Sequence, residues 1–470
     1  MGPDTRAGVL TPIFNPAPGN VSTEDIHGYL TNGAATKIYA NFMTGFCMTN
    51  DGSGHCHSNV MTGYNSDDPR TAAAQVKDLY NRHIDGALIS WEGPGSDTPG
   101  LLIQTEENNN YCNGGAGPCS VGIVNMIDGP SIGYSTTSTG VPGTSGAACS
   151  TSLSAAAYET CALAHLKNDF CWMNGKYFGN PAYLKSSSGQ PIVLIFPNEP
   201  VLPSSGAAPS WTDVWKQIKV WNSDLKTNCN QSGYNADNGV PLFISENTGA
   251  FTRTSADGTL VYDGAYYWIE PAQNAIVSDQ TTYNISPLSQ AGTLDNFYYV
   301  AKSHLTMQVW GNAFKGFNSH FAEWGTNRIM DQQCGMTWIQ SLTAGNTNYT
   351  SAGLSYLQIA TWNDYNEGTP IETGIDNCYT VSALLSGSTL NWSLDSSNPM
   401  ANLATVSHIE IYDSTDFGVT VTPLSMNEAA AASGTYDLSM LPSGNHTLYV
   451  RMVGKNSIFN QISPAVAYSN

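Results

Sequence analysis

The sequence predicts a (β/α)8 TIM barrel, of the α/β class, followed by a small β-sandwich. Eight short apolar runs alternate with helical patterns over roughly the first 377 residues, as expected for a closed parallel barrel. From residue 378 the pattern changes to alternating apolar and polar residues without helices, which indicates a β-sandwich. The length of 470 residues suits a barrel with a small appended domain.

The first β/α unit shows the pattern most clearly. Residues 37–43 form a short apolar run, and Asp68-Pro69 then opens a helix in which Val76 and Tyr80 share one face. A later helix is predicted where tryptophans recur at three- and four-residue steps after the N-capping residue Ser210. With 37–43, the predicted barrel strands are 86–91, 121–127, 191–196, 241–245, 265–269, 307–317 and 357–362.

These patterns divide the chain into three parts. We predict an N-terminal extension (1–29), a catalytic barrel (30–377) and a β-sandwich of the immunoglobulin-like or carbohydrate-binding-like type (378–470). The sandwich strands are predicted at 389–394, 408–412, 418–422 and 446–453.

The charge balance limits the partners of the protein. There are 17 Lys and Arg against 37 Asp and Glu, and the net charge is −20. Such a field repels a phosphate backbone, so nucleic-acid binding is not expected. The sequence has no apolar run of about 18 residues, so membrane insertion is not expected either. We expect a monomer.

The cysteines point to an oxidising compartment. None of the 10 cysteines lies in a CxxC pair, so structural disulfides are expected in a secreted or extracellular protein. Short spacings suggest the local pairs 47/56, 112/119 and 161/171. The first residues lack the basic and apolar regions of a signal peptide, so we expect a mature chain whose leader has been removed.

Acidic and aromatic residues gather where the predicted strands end. In a barrel of this kind the active site lies at the C-terminal ends of the strands. Cleavage of a glycosidic bond needs one carboxylic acid and one carboxylate, and aromatic rings stack on sugars. We predict Asp364 and Glu367 as the catalytic pair. The residues predicted to bind substrate are Trp91, Glu92, Asp128, Glu246, Glu323, Trp324, Trp362, Asn363 and Tyr365.

The run Ile359-Ala-Thr-Trp-Asn-Asp-Tyr-Asn-Glu-Gly-Thr-Pro-Ile-Glu372 resembles the last barrel strand of glycoside hydrolase families 71 and 99. Further similarity lies in 37–46, in Gly63-Tyr64-Asn65 and in 180–185, so the resemblance covers about residues 37–376. It implies that Glu367 is the general acid and Asp364 the base. Asp364 is closer to family 71, the α-1,3-glucanases, whereas Asn366-Glu367-Gly368-Thr369 is closer to family 99, the endo-α-mannanase-like enzymes.

The resemblance implies a secreted, endo-acting hydrolase of an α-linked polysaccharide, with α-1,3-glucan as the leading substrate. The alternative is an endo-α-mannanase-like enzyme in which Asp364 assists attack by the substrate's own 2-hydroxyl. In the first case the base activates water with inversion. A polysaccharide or oligosaccharide is the expected partner, and proton transfer and positioning need no cofactor.

Three other interpretations remain open. The Gly-x-Ser-x-Gly pattern at 129–133 suggests a serine esterase with Ser131 as nucleophile, although a Ser/Thr/Gly-rich loop follows it rather than a helix. His55-Cys56-His57 suggests a metal site, but it lacks zinc spacing, so no metal is predicted. The chain could also be a non-catalytic carbohydrate-binding protein, which would leave Asp364 and Glu367 without a purpose.

Overall fold

The computed structural model describes residues 20–47, 58–59, 64–94, 97–113, 118–128, 149, 153–196, 211–269, 294–322, 328–416 and 418–469. Several sequence predictions lie outside the described residues. They concern Ser131 with its Gly-x-Ser-x-Gly pattern, His55-Cys56-His57, Glu323, Trp324 and the helix-capping Ser210.

A closed barrel of eight parallel strands confirms the predicted fold class. Around the ring the strands follow the order β1-β8-β7-β6-β5-β4-β3-β2, so each strand lies beside its neighbours in sequence. The register places Ala40 of β1 opposite Ile359 of β8, which in turn lies opposite Ala313 of β7. The strands are β1 (Lys37–Phe42), β2 (Gly86–Trp91), β3 (Gly122–Asp128), β4 (Ile192–Phe196), β5 (Leu242–Glu246), β6 (Gly264–Tyr266), β7 (Gln308–Ala313) and β8 (Tyr356–Ile359).

An α-helix follows most of these strands, as predicted, but between β5 and β6 the chain forms only the 3-10 helix Thr248–Phe251. The first α-helix begins at Pro69, and the Asp68 carboxylate accepts the N–H of Arg70 at 2.8 Å, which caps its N-terminus. Among the described residues, no helix combines the length and apolarity needed to cross a bilayer. The α-helices are α1 (Pro69–Asn81), α2 (Thr98–Asn110), α3 (Ala155–Lys176), α4 (Trp211–Trp221), α5 (Leu225–Asn228), α6 (Leu294–Ala301) and α7 (Met336–Thr343).

Short strands and 3-10 helices connect the longer elements. Two-residue strands pair at Phe46–Cys47 with Ser58–Asn59 and at Phe317–Asn318 with Ile329–Met330. The 3-10 helices are Ile26–Tyr29, Gly33–Ala35, Asn222–Asp224, Thr248–Phe251, Ser319–Phe321, Gln333–Gly335, Ala344–Thr347 and Leu403–Thr405.

The described residues fall into two compact units. The first comprises 41–80 and 85–264, and the second comprises 20–40, 81–84 and 265–469. The predicted domain boundaries at residues 30 and 378 stay predictions.

The disulfides confirm one predicted pair and correct another. Cys112 pairs with Cys119 as predicted. The predicted 161/171 pair is wrong, because both cysteines lie on α3, where ten residues span about 15 Å, far beyond the reach of a disulfide. The remaining described pairs are Cys149–Cys161, Cys171–Cys229 and Cys334–Cys378. The predicted partner of Cys47, Cys56, lies outside the described residues.

The C-terminal part of the second unit is a β-sandwich, as predicted. One sheet has the order β9-β10-β13; in the other, β12-β11-β14-β15 are consecutive and β16 also pairs with β14. Ile409, Leu448 and Val450 lie in its buried core. The strands are β9 (Thr380–Ser386), β10 (Thr389–Asp395), β11 (Val406–Ser414), β12 (Thr422–Ala429), β13 (Ser433–Asp437), β14 (Asn445–Gly454), β15 (Gln461–Ile462) and β16 (Val466–Ser469).

The predicted strand at 418–422 is wrong. The Asp416 carboxylate accepts the backbone N–H of Thr420 at 2.8 Å, and Gly418 has a φ of 89°. These features form a turn rather than extended backbone, and the strand begins only at Thr422.

Candidate active site

The segment after β8 folds back on itself into a tight turn. The peptide bond between Ala360 and Thr361 is cis. The Thr361 hydroxyl accepts the N–H of Asp364 at 2.9 Å and lies 2.8 Å from the hydroxyl of Thr369. Thr369 in turn donates its N–H to the Asp364 carbonyl at 3.2 Å. We call residues 361–369 the catalytic turn, after the two residues in it that the sequence predicts to be catalytic; these bonds hold Asp364 within it.

Asp364 is a buried carboxyl group held by its own turn. Its side chain is 7% exposed, and its Oδ1 accepts the backbone N–H of Glu367 at 3.1 Å. Burial raises the pKa of Asp364 to about 6, although hydrogen bonds from the N–H groups of Glu367 and Asn366 lower it. A carboxylate of this kind can accept a proton near neutral pH, as a general base must.

Glu367 lies three residues further along the same turn and is partly buried. Its carbonyl accepts the N–H of Asn318 at 2.6 Å, which ties the turn to the segment after β7. The next residue, Gly368, has a φ of 64°, and a Cβ there would lie 2.9 Å from the Cβ of Asn318. Only glycine fits this close approach, so the backbone beside Glu367 is fixed.

The other predicted residues of the turn differ in exposure. Trp362 and Asn363 are fully buried, whereas Tyr365 is partly exposed and donates its hydroxyl to Glu372 Oε2 at 2.7 Å. A ring without exposure offers no face to a sugar, so this arrangement favours a supporting role for Trp362. The substrate-binding role of Tyr365 stays a prediction.

The remaining predicted residues lie at strand ends of the first unit. Trp91 ends β2, is fully buried and meets Tyr177 edge-on at 6.1 Å between ring centroids. Glu92 follows it, Asp128 ends β3 and Glu246 ends β5, and all three are partly buried. The buried Trp91 ring, like that of Trp362, offers no face to a sugar. The positions of the three acidic residues match the sequence prediction, and their roles stay predictions.

A buried carboxyl group missed in the sequence supports the segment after β2. Asp97 precedes α2 and accepts hydrogen bonds from the Tyr177 hydroxyl at 2.5 Å and from Trp172 Nε1 at 2.7 Å. Burial raises the pKa of Asp97 to about 8, while these bonds lower it. Through these two bonds the buried carboxyl joins the start of α2 to α3 and to Tyr177 just after it.

Lys315 is a second residue that sequence reasoning missed. It follows β7 by two positions and is 7% exposed, and burial lowers the pKa of its ammonium to about 8. Of the residues that the structure describes, none forms an ion pair or hydrogen bond with it. The sequence did contain a signal for it, because this lysine lies inside the apolar run 313–317 of a chain with only 17 Lys and Arg.

Among the described residues, one group of side chains is close enough to bind a metal ion by distance alone. Ligand atoms of Cys149, Cys161 and His165 lie within 4.8 Å of one another. The two cysteines are joined in a disulfide and offer no thiolate, so their chemistry does not fit a metal centre.

Comparison with known proteins gives structural similarity only. No protein-family model and no curated protein matches the chain. The glycoside hydrolase family 99 endo-α-mannosidase from Bacteroides thetaiotaomicron is 15% identical over 71% of this chain and 86% of its own, with a TM-score of 0.43. A glycoside hydrolase-like protein is 14% identical over 72% and 86%, with a TM-score of 0.44. Identities and TM-scores this low do not establish membership of a family.

A further solved structure is similar to a smaller part of the chain. An Fn3-like protein from Clostridium thermocellum is 19% identical over 19% of this chain and 86% of its own, with a TM-score of 0.15.

Proposed function

We propose that this protein is a secreted, endo-acting glycoside hydrolase that cleaves an α-linked polysaccharide, with Glu367 as general acid and Asp364 as base. The observation that supports it best is the catalytic turn, which presents two carboxyl groups three residues apart and includes the buried Asp364, whose pKa is raised by burial to about 6. The closed parallel barrel supports it too, because enzymes of this fold place their catalytic groups after the strands.

The two carboxyl groups have different roles in the proposed reaction. Glu367 protonates the leaving glycosidic oxygen, and Asp364 removes a proton from the attacking group on the other side of the sugar. Above pH 6 the Asp364 carboxylate is ionised and can act as base. As the pH falls through about 6 it becomes protonated, so kcat/KM is expected to fall on the acid side.

α-1,3-Glucan is the proposed substrate and α-mannan the alternative. The two differ in the group that attacks the anomeric carbon, which is water in the first case and the substrate's own 2-hydroxyl in the second. An oligosaccharide with a 2-deoxy sugar at the cleaved position therefore separates them. Water attack tolerates this loss, whereas attack by the 2-hydroxyl is abolished.

The test measures release of reducing ends from α-1,3-glucan, α-1,6-glucan, α-mannan and several β-glucans. Glu367→Gln and Asp364→Asn are each expected to lower the rate about a hundred- to ten-thousandfold while the protein remains folded. Glu428→Gln, an exposed substitution on β12, serves as the matched control and is expected to keep the wild-type rate.

Two outcomes contradict the proposal. One is a near-normal rate in either active-site variant. The other is hydrolysis of p-nitrophenyl esters without cleavage of any glycan, which would favour the esterase interpretation and Ser131.

A further inference from the structure

A turn of the sandwich is inserted among segments of the barrel within the second unit. We call residues 455–460 the brace turn. Ser22 donates its N–H to the Ile458 carbonyl at 2.9 Å and accepts the N–H of Ser457 at 3.1 Å. Ile375, just beyond the catalytic turn, donates to the Ser457 carbonyl and accepts from Phe459, both at 2.9 Å. The brace turn thus pairs with an N-terminal segment on one side and with the chain after β8 on the other.

Asn456 forms the centre of the brace turn. It is fully buried, and its Nδ2 donates to the carbonyl of Arg82 at 2.7 Å and to that of Glu24 at 2.6 Å. Its Oδ1 accepts the Ser457 hydroxyl at 2.8 Å, and its carbonyl accepts Trp338 Nε1 at 2.9 Å. The side chain uses both of its donors and its one acceptor oxygen, and no other side chain of this length provides that set.

Arg82 connects the brace turn to the catalytic turn. It directly follows α1, and its side chain is fully buried. Its Nη1 donates to the carbonyl of Ile371 at 2.8 Å and its Nη2 to that of Glu372 at 2.6 Å. The guanidinium carbon lies 4.9 Å from the ring centroid of Trp362. One planar cation therefore holds two carbonyls and one indole ring at once.

Arg82 thus contacts Trp362 at the start of the catalytic turn and the carbonyls of Ile371 and Glu372 just after its end. Ile371 donates its N–H to the Thr361 carbonyl at 3.1 Å, and Glu372 donates its N–H to the Trp362 carbonyl at 3.0 Å. The Glu372 side chain also accepts the Tyr365 hydroxyl. A shift of Arg82 would therefore move the backbone from which Asp364 and Glu367 project.

We propose that Arg82 is a positioning residue for the Asp364 and Glu367 pair, and that Asn456 of the sandwich holds Arg82 in place. The sandwich is then part of the catalytic apparatus. The claim that Arg82 positions Asp364 and Glu367 for catalysis rests on the proposed function. The claim that Asn456 holds Arg82 in place does not.

Two variants test the proposal, each in the full-length chain. Arg82→Lys keeps the charge but loses the planar two-pronged contact. Asn456→Asp keeps the shape but removes both side-chain donors; if it yields no folded protein, Asn456→Ser, which retains one donor, replaces it. Well below the unfolding temperature, both variants are expected to lower kcat about tenfold, because a displacement of about 1 Å can cost more than that, and to change KM less than about twofold.

Leu448→Ala is the matched control. It weakens the sandwich core without touching the brace turn. We expect it to lower the unfolding temperature and to leave kcat of the folded protein unchanged. If Arg82→Lys lowers the unfolding temperature as Leu448→Ala does and keeps kcat within about twofold, Arg82 has only a structural role and the proposal is wrong.

Hydrogen exchange gives a readout that does not depend on activity. Amides of residues 361–372 are expected to exchange at least about threefold faster in Arg82→Lys and Asn456→Asp, and at the wild-type rate in Leu448→Ala. Unchanged exchange in the first two variants would overturn the role of the brace turn. If the wild type cleaves no glycan, the proposed function fails, while the exchange result still decides whether the sandwich supports this segment.

Discussion

Replacing Lys315 with methionine is expected to stabilise the protein. Lys315 is 7% exposed, and of the described residues none supplies a counter-charge. Methionine has a similar length and no charge, so the substitution removes a desolvation cost while filling the same space. Most single substitutions destabilise a protein, so a clear gain in the free energy of unfolding is easy to recognise.

The magnitude follows from the pKa. Burial lowers the pKa of Lys315 from 10.5 to about 8. Since each pKa unit corresponds to about 1.36 kcal/mol, the charged lysine lowers the free energy of unfolding by about 3 kcal/mol at pH 7. Between pH 8 and 10.5 the unfolded chain binds more protons than the folded one, so wild-type stability rises with pH. The advantage of Lys315→Met is therefore expected to shrink to about 1 kcal/mol at pH 10.

Urea unfolding of both proteins at pH 7 and pH 10 measures this difference. Lys226→Met, at an exposed position of α5, is the control and is expected to show a small difference that does not depend on pH. If Lys315→Met is less stable than the wild type, or if the difference is the same at both pH values, Lys315 has a partner in the folded protein and the reasoning is refuted.

Two further predictions concern stability. Replacing Cys171 and Cys229 together with serine opens a loop of 58 residues and is expected to lower the free energy of unfolding by about 4 kcal/mol in urea titrations; a loss below about 1 kcal/mol would contradict this. The Pro442 carbonyl and the Asp413 carboxylate raise the pKa of His446, so its stabilising effect is complete below pH 6.5 and is lost as the pH rises through the folded-state pKa. The unfolding temperature of the wild type is therefore expected to fall as the pH rises from 5.5 to 7.5, and His446→Gln is expected to reduce this fall. An equal fall in both proteins would contradict the prediction.

The barrel could be predicted because its strands are short runs that are buried almost throughout. Residues 86–91 were predicted with the bounds that β2 has, and all six are buried. The run 307–317 was predicted as one strand, but β7 ends at Ala313. Gly316, with a φ of 145°, breaks the extended backbone before the short strand Phe317–Asn318. Apolar composition shows where a strand lies and does not show a change of backbone direction inside the run.

The supports of the catalytic turn could not be predicted. The motif around Asp364 and Glu367 is continuous in sequence, so spacing alone shows that the two carboxyl groups share one turn. The contact between Arg82 and Glu372 spans 290 residues, and the contact between Asn456 and Arg82 spans 374. Arg82 and Asn456 bind backbone carbonyls. Because every residue has a backbone carbonyl, no sequence pattern marks the partners of these two side chains.

The brace turn also determines when the protein can finish folding. Asn456 and Glu24 are 432 positions apart, so at about 5 to 20 residues per second a ribosome makes the second roughly 20 to 90 seconds after the first. During most of that time the carbonyls of Glu24 and Arg82 have no Asn456 to bind. A nascent chain that stalls or is cut before residue 455 would hold the complete catalytic motif but not its last support. Active protein would then accumulate only after release of nearly the full chain.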